Sequence, residues 1–143
     1  MKIKIIFVFV IIVIIFTFIS CDKTQNEQFS VILKYDKAIK EGNQTELKNL
    51  FSFKSQQAIQ QIFKNSDDFY SELIKEGSGF KDKPPPKLKQ IKKDEKNNNY
   101  RVLVILFNGK SKSFYLTQEG NYWKIDIIPQ MTALYNAEKQ FHK

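Results

Sequence analysis

The sequence predicts an α+β domain in which N-terminal helices pack on a curved antiparallel sheet of about four strands, with a further helix at the C-terminus. Apolar residues recur at helical spacing between residues 28 and 79. Between residues 87 and 128 they recur at every second position, which indicates strands. Since the two patterns follow one another without alternating, they favour segregated helices and strands over a parallel α/β sheet.

The helical half contains signals for four helices. Gly42 is suited to end the first helix, and Asn43 with Glu46 forms a capping box for the second. Ser55 is predicted to cap a third helix, and Ser66, followed by two aspartates, a fourth. The first helix, residues 27–42, carries a broad apolar face formed by Phe29, Val31, Ile32, Leu33, Tyr35, Ala38 and Ile39.

Three consecutive prolines at 84–86 separate the two patterns. Proline cannot occupy a helix interior or donate a hydrogen bond to a sheet, so this segment is predicted to be a stiff lead-in to an edge strand. The alternative interpretation is a ligand for a proline-binding groove. The lysine-rich strand predicted at 87–95 suits a sheet edge, where charge opposes aggregation.

The remaining strands are predicted to form a meander. The segment 100–107 is apolar on both faces, so both faces are expected to be covered, and Asn108 with Gly109 predicts a hairpin turn. The next strand is predicted to point Phe114 and Leu116 inward.

The last predicted strand alternates in the same way. Trp123 and Ile125 are expected on one face and Asp126 on the other. Residues 130–143 then have the apolar spacing of a final helix.

Residues 1–20 are predicted to be a signal peptide that is removed. Lys2 and Lys4 form a short positive start, and residues 5–19 contain Thr17 as their only polar member. This run is shorter than the roughly 20 apolar residues that cross a bilayer, so a cleaved segment is favoured over a permanent span.

The only cysteine follows this run directly. The tetrapeptide "FISC" that ends at Cys21 resembles the lipobox of bacterial lipoproteins, although leucine is common where Phe18 stands. The resemblance implies cleavage between Ser20 and Cys21, with a diacylglycerol on the thiol and a fatty acid on the new amino group. Residues 21–27 are then the lipidated cysteine and a polar tether, and residues 28–143 the α+β domain.

The order of elements, together with "GNYWKIDI" at the last predicted hairpin, resembles small bacterial lipoproteins of the nuclear transport factor 2-like (cystatin-like) superfamily. Their last strands commonly contain a Gly-x-Trp-Lys-Ile-like segment, here with one extra residue between Gly120 and Trp123. Over residues 28–128 the resemblance implies a cone-shaped domain. Trp123 would fill the cone, whose interior can be a substrate pocket, a dimer surface or core.

Tyr35, Asp36 and Trp123 are the candidate pocket residues. Enzymes of that superfamily place an acidic base, often with a tyrosine, inside the cone, and the matching pairs here are Asp36 with Tyr35 or Asp126 with Tyr122. A catalytic base needs burial or a partner that shifts its pKa. Asp36 lies among lysines and Asp126 opposite Trp123, so a solvated position is expected for Asp36 and no enzyme is predicted.

No cofactor or metal site is predicted. His142 is the only histidine, and the acidic residues lack calcium-loop spacing. A nucleophilic triad and a glycine-rich phosphate loop are also missing from the sequence. The formal net charge of +8 comes from lysine, with Arg101 the only arginine, so nucleic acid is not an expected partner.

Together these features predict a lipoprotein held by lipid to a membrane of the bacterial cell envelope, where the outer membrane and the cell surface are both possible locations. Its domain is expected to bind an envelope protein or a surface ligand without catalysis. One alternative is a small-ligand-binding or enzymatic protein that uses the cone, and another is a surface-exposed adhesion or host-interaction lipoprotein. A deep pocket with a buried carboxylate would favour the first alternative, whereas a cone filled by Trp123, Phe114 and Leu106 would favour an interaction surface.

Overall fold

Helices precede strands along the chain, as predicted. The computed structural model describes residues 27–94 and 99–133, and it confirms the α+β class. The helices are α1 (27–41), α2 (Gln44–Leu50), α3 (Phe53–Ile62), α4 (Ser66–Ser78) and α5, which begins at 128 and is helical up to 133. The strands are β1 (Lys87–Asp94), β2 (Asn99–Ile105), β3 (Ser111–Glu119) and β4 (Tyr122–Ile125). None of these described helices is long and apolar enough to span a bilayer.

Several predicted features lie outside the described residues. They are the signal peptide with Ser20, the lipidated Cys21, most of the tether, and residues 134–143 of the final helix. Glu27, which was assigned to the tether, is the first described residue and is already helical.

The four strands form one antiparallel sheet in the order β1-β2-β3-β4. Val102 pairs with Phe114 between β2 and β3, and Leu116 pairs with Ile125 between β3 and β4. All four are buried, so they form the inner face of the sheet, as predicted for the residues of β3. The predicted hairpin turn is present, and its Gly109 has φ 77°, a conformation that glycine adopts without strain.

The first strand lies at the sheet edge, as predicted. It follows the three prolines directly, and most of its residues are exposed. The register of its pairing with β2 shifts between Leu88 and Gln90. Exposed lysines and a local irregularity both hinder the addition of another strand at this edge.

The helix N-termini agree with the predictions in one case and differ in two. Asn43 caps α2 as predicted, and its side chain accepts a backbone hydrogen bond from the first turn. Ser52, rather than Ser55, caps α3, since Ser52 is extended and its Oγ accepts from the backbone N of Ser55 at 3.2 Å. Similarly, Asn65 caps α4, so Ser66 is the first helical residue rather than the cap.

The helices cover the inner face of the sheet with one apolar core. Leu33, predicted in the apolar face of α1, is 37% exposed, because the buried stripe runs through Val31, Ile32, Tyr35 and Ala38 instead. The buried apolar residues are Val31, Ile32, Tyr35, Ala38, Leu47, Leu50, Phe51, Ile59, Tyr70, Val102, Val104, Phe114, Leu116 and Ile125.

The outer face of the sheet is only partly covered. Leu103 and Ile105 are half-buried, and Phe107, just past the end of β2, is exposed. At the start of α5, Gln130 Nε2 donates to the backbone carbonyl of Ser113 at 3.0 Å, so α5 contacts β3. Coverage of this face is therefore less complete in the described residues than the sequence predicts.

Candidate ligand cavity

A cavity of about 190 Å³ lies between the C-terminal half of α1, α4 and the β2–β3 hairpin. Its apolar lining consists of Ile32, Tyr35, Ile39, Leu73, Phe80, Pro84, Pro86, Leu106, Phe107 and Phe114. The polar lining side chains are Asp36, Lys40, Glu76, Asn108 and Lys112. Mostly apolar walls with a few polar groups are typical of small-molecule sites.

One wall of the cavity comes from α1, because residues three or four apart share a helix face. Tyr35 and Ile39 are one turn apart on this wall. The Tyr35 ring meets the ring of Phe114 edge to face, with centroids 5.3 Å apart, and the ring of Phe51 at 6.3 Å. These aromatic contacts fix the tyrosine between the helices and the sheet.

Lys40 connects α1 to the proline segment. Its Nζ donates to Asp36 Oδ2 at 2.7 Å and to the backbone carbonyl of Lys83 at 2.9 Å. The Asp36 side chain is 27% exposed, so the prediction that it lies on a solvated face is wrong. Because Lys83 immediately precedes Pro84, this contact holds the prolines against α1, where Pro86 is buried. The prolines are thus part of the cavity wall as well as the lead-in to β1.

The second helical wall of the cavity is α4, which approaches α1 closely at Gly77. A Cβ atom at this position would lie 1.8 Å from Cγ2 of Ile39, which is far below any real contact distance. The absence of a side chain therefore allows α4 and α1 to come together beside the cavity.

Lys112 is an unusual residue for the inner face of the sheet, where Phe114 and Leu116 have the same orientation. Its Nζ lies 5.1 Å from the centre of the Phe114 ring and 5.7 Å from that of Tyr35, which are cation–π distances. Lys112 is exposed as a whole residue, but burial of part of its side chain lowers its pKa, and the carboxylate of Glu76 opposes this shift.

Tyr35 is a protonated hydrogen-bond donor in this environment. Burial raises the pKa of its hydroxyl, and the negative charges of Glu76 and Asp36 raise it further. The phenol therefore stays neutral at physiological pH.

The structure brings together two of the three predicted pocket residues. Tyr35 and Asp36 line the cavity, whereas Trp123 is not among its lining residues. Trp123 pairs with Gln118 near the other end of β3, and its ring packs edge to face on Tyr100 with centroids 5.1 Å apart. The expectation that Trp123 contributes to this pocket is thus not met, because the cavity lies at the opposite end of the inner face.

Asp126 belongs to a buried polar network away from the cavity. Its Oδ2 accepts from Asn99 Nδ2 at 2.7 Å, and its Oδ1 accepts from Ser55 Oγ at 3.3 Å and from the backbone N of Ile128 at 3.0 Å. Ser52 Oγ donates to Ser55 Oγ at 2.8 Å, which extends the network to the start of α3. These contacts join α3, the first residue of β2 and the segment after β4, so the carboxylate has a structural role.

Sequence reasoning missed three of the charged residues at the cavity, Lys40, Glu76 and Lys112. The position of Lys112 could have been predicted, since it lies two residues before the inward-pointing Phe114 and therefore on the same face of β3. The position of Glu76 depends on how α4 packs against α1, and spacing along the chain does not reveal this. Asn99 and Ser52, in the polar network, were missed for the same reason.

Within the part of the chain that the structure describes, no group of three or more His, Cys, Asp or Glu side chains is arranged to hold a metal ion. Comparison of the chain with protein families, curated proteins and solved structures finds no match. The basis for a function is therefore the N-terminal sequence and the geometry of the cavity.

Proposed function

We propose that this chain is an exported lipoprotein, held at a membrane of the bacterial cell envelope by acyl chains on Cys21, and that its domain binds a ligand without catalysis. The observation that carries the anchor is the position of the only cysteine directly behind Ser20 and a short apolar run. The observation that supports binding is the apolar cavity beside Tyr35 and Asp36. The presence of this cavity favours a domain that binds a small ligand over an interaction domain whose interior is entirely filled.

Lipid on a single residue is sufficient for stable attachment. Each buried methylene contributes about 0.8 kcal/mol, so one chain binds a membrane only marginally while two or three chains bind stably. The five residues between Cys21 and α1 reach at most about 18 Å. The domain would therefore work close to the membrane surface.

Binding rather than catalysis is proposed because Asp36 and Asp126, the two carboxylates considered as bases, already have partners, and Glu76, the third carboxylate in question, is exposed to solvent. Asp126 accepts three hydrogen bonds within a buried network, and Asp36 forms an ion pair with Lys40 at 2.7 Å. A general base must instead be free to accept a proton from a substrate at hydrogen-bond distance.

Metabolic labelling with a clickable palmitate analogue tests the anchor. The wild-type protein is expected to carry the label and to sediment with membranes, and Cys21→Ser is expected to lose the label. Ser20→Ala keeps a small residue before the cysteine, so this control is expected to retain the label. An unlabelled wild-type protein that is released freely from the cells would refute the lipoprotein proposal.

An apolar probe tests the cavity. Indole added to the purified, isotope-labelled protein is expected to shift the amide signals of lining residues such as Ile39, Gly77 and Phe114, and to leave those of β4 unchanged. Shifts spread over the whole domain, or none at all, would contradict a ligand site at this position.

A second candidate is recognition of another protein at the cell surface. Phe53 and Tyr122 are 65% and 72% exposed, and the Phe53 backbone N donates to Glu119 Oε1, next to the turn that precedes Tyr122. Exposed aromatic side chains are typical of protein contact sites. Digestion of intact cells with protease would distinguish a domain on the outer cell surface from one that faces the interior of the envelope, because only the surface-exposed domain is cleaved.

A further inference from the structure

Three polar groups around the cavity have no hydrogen-bonding or ionic partner among the described residues. They are the Tyr35 hydroxyl, the Glu76 carboxylate and the Lys112 ammonium. The other charged pair that lines the cavity, Asp36 with Lys40, is satisfied internally at 2.7 Å. The groups left free for a ligand are therefore one cation, one anion and one neutral donor.

Glu76, Lys112 and Tyr35 all line this cavity, and Glu76 and Lys112 do not form an ion pair with each other. The negative charge of Glu76 acts to raise the pKa of both Lys112 and Tyr35. An ammonium over two aromatic rings, with no anionic partner in contact, is a site that favours an added carboxylate. The carboxylate of Glu76 in turn favours an added cation.

The size of the cavity limits the apolar part of the ligand. Its volume of about 190 Å³ is slightly larger than an engineered apolar cavity of about 150 Å³ that holds benzene. One aromatic ring or a short branched aliphatic chain therefore fits, whereas a sterol or a long acyl chain does not.

We propose that the cavity binds a free α-amino acid with an apolar side chain, of the size of phenylalanine or leucine. The side chain would occupy the space between Ile39, Leu73 and Phe114, the carboxylate would meet Lys112 and the Tyr35 hydroxyl, and the ammonium would meet Glu76. This inference rests on the proposed binding role of the cavity and is independent of the lipid anchor.

A zwitterion fits this site better than a ligand with a single charge. A simple carboxylate would leave Glu76 unpaired and close to a second negative charge, and a simple amine would do the same to Lys112. Glu76 and Lys112 are exposed in the free protein, and a bound ligand would displace water from both. A ligand with one charge would then leave the other group partly desolvated without a partner, so the site discriminates against both.

Calorimetric titration of the full protein with L-phenylalanine and L-leucine tests the proposal. Both are expected to bind, and 3-phenylpropionate and phenethylamine are expected to bind at least tenfold more weakly than L-phenylalanine. Zwitterions do not partition into detergent micelles, so binding is measurable on protein purified in detergent. Equal affinity for 3-phenylpropionate and L-phenylalanine would overturn the zwitterion assignment.

Paired variants connect the affinity to the named charges. Lys112→Met and Glu76→Gln are each expected to weaken L-phenylalanine binding at least tenfold. Their controls, Lys110→Met and Glu72→Gln, change a lysine and a glutamate that do not line the cavity, and they are expected to bind as the wild type does. Equal losses in variants and controls would refute the site.

The indole experiment separates this inference from the proposed binding role. If indole shifts the lining residues and the amino acids do not bind, the amino-acid inference is wrong and the binding role stands. If neither indole nor the amino acids bind, both proposals fail.

Discussion

Asp126 is the residue on which the junction of three elements depends. Its carboxylate is 9% exposed and accepts hydrogen bonds from Asn99, Ser55 and the backbone of Ile128. A buried carboxylate persists in a fold only when such donors compensate for its lost hydration. The hydroxyl of Ser55 also accepts from the backbone N of Ile127 at 3.0 Å, so the network fixes the path of the chain after β4.

Asp126→Ala is expected to lower the free energy of unfolding by about 3 kcal/mol, because it leaves two buried donors and the half-buried backbone N of Ile128 without an acceptor. Asp82→Ala removes an exposed aspartate and is expected to change it by less than about 0.5 kcal/mol. Urea unfolding followed by the fluorescence of Trp123, the only tryptophan, measures both variants. A loss for Asp126→Ala as small as that of the control would show that the network does not stabilise the domain.

Two buried tyrosines make the stability sensitive to alkaline pH. Burial raises the pKa of Tyr70 to about 12, with a smaller contribution from Asp67, and it also raises that of Tyr35. In the unfolded chain these tyrosine hydroxyls ionise near pH 10. The folded state therefore keeps its full stability below pH 10 and loses stability as the pH rises from about 10 to 12.

Tyr70→Phe is therefore expected to reduce this alkaline loss of stability by about 2 kcal/mol at pH 12. The remaining dependence would come from Tyr35. Tyr122→Phe, which changes a tyrosine that is 72% exposed, is expected to leave the dependence as it is in the wild type. Unfolding midpoints in urea at pH 8, 10 and 12 provide the comparison, and parallel curves for wild type and Tyr70→Phe would contradict the assignment.

At the scale of elements, the contact between α1 and α4 controls the shape of the cavity. Gly77 faces Ile39 at a distance that excludes any side chain, and Lys40 holds the prolines against the same helix. The close helix pair and the proline segment thus form adjacent walls around one space.

Gly77→Ala is expected to lower the free energy of unfolding by about 1–3 kcal/mol, because the new methyl group must displace Ile39 in a packed interface. Gly79→Ala is its matched control: Gly79 has φ −66°, and an added Cβ there meets no atom within 4 Å. That control is expected to be neutral or slightly stabilising, since alanine restricts the unfolded chain. Equal effects of the two substitutions would show that α1 can move away from α4 without loss.

Local patterns predicted most of the elements but little of their packing. Gly42 and Asn43 define the boundary between α1 and α2 because the required backbone conformation and cap are local properties. The sequence predicts the cap of α3 at Ser55 instead of Ser52, since both are serines before an apolar helical pattern. They are distinguished by the extended backbone of Ser52 and by the hydrogen bond that its Oγ accepts from the backbone N of Ser55.

The residues that line the cavity could likewise be predicted from the sequence only in part. Tyr35 and Asp36 were identified from the resemblance, and both line the cavity, but Trp123 was placed in it although it packs at the far end of the sheet. Alternation along β4 predicts which face Trp123 occupies and does not predict its distance from α1. Contacts between distant segments decide that distance, and no local spacing encodes them.

At the scale of the whole molecule, anchoring and folding are expected to be separable. The buried apolar residues of the described chain run from Val31 to Ile125 and form one cluster, so we expect the domain to fold without a contribution from Cys21. The sequence contains no second cysteine, so folding also does not depend on a disulfide. The acyl chains would then determine location alone.

Cys21→Ser is accordingly expected to leave the urea midpoint of the domain and the emission maximum of Trp123 unchanged while it abolishes palmitate labelling. The wild-type and variant proteins are compared in the same detergent, so that the micelle contributes equally to both. A reduced midpoint in the variant would show that the lipid or the membrane stabilises the fold. In that case the tether would have to be regarded as part of the folded domain, rather than as the polar tether that its composition predicts.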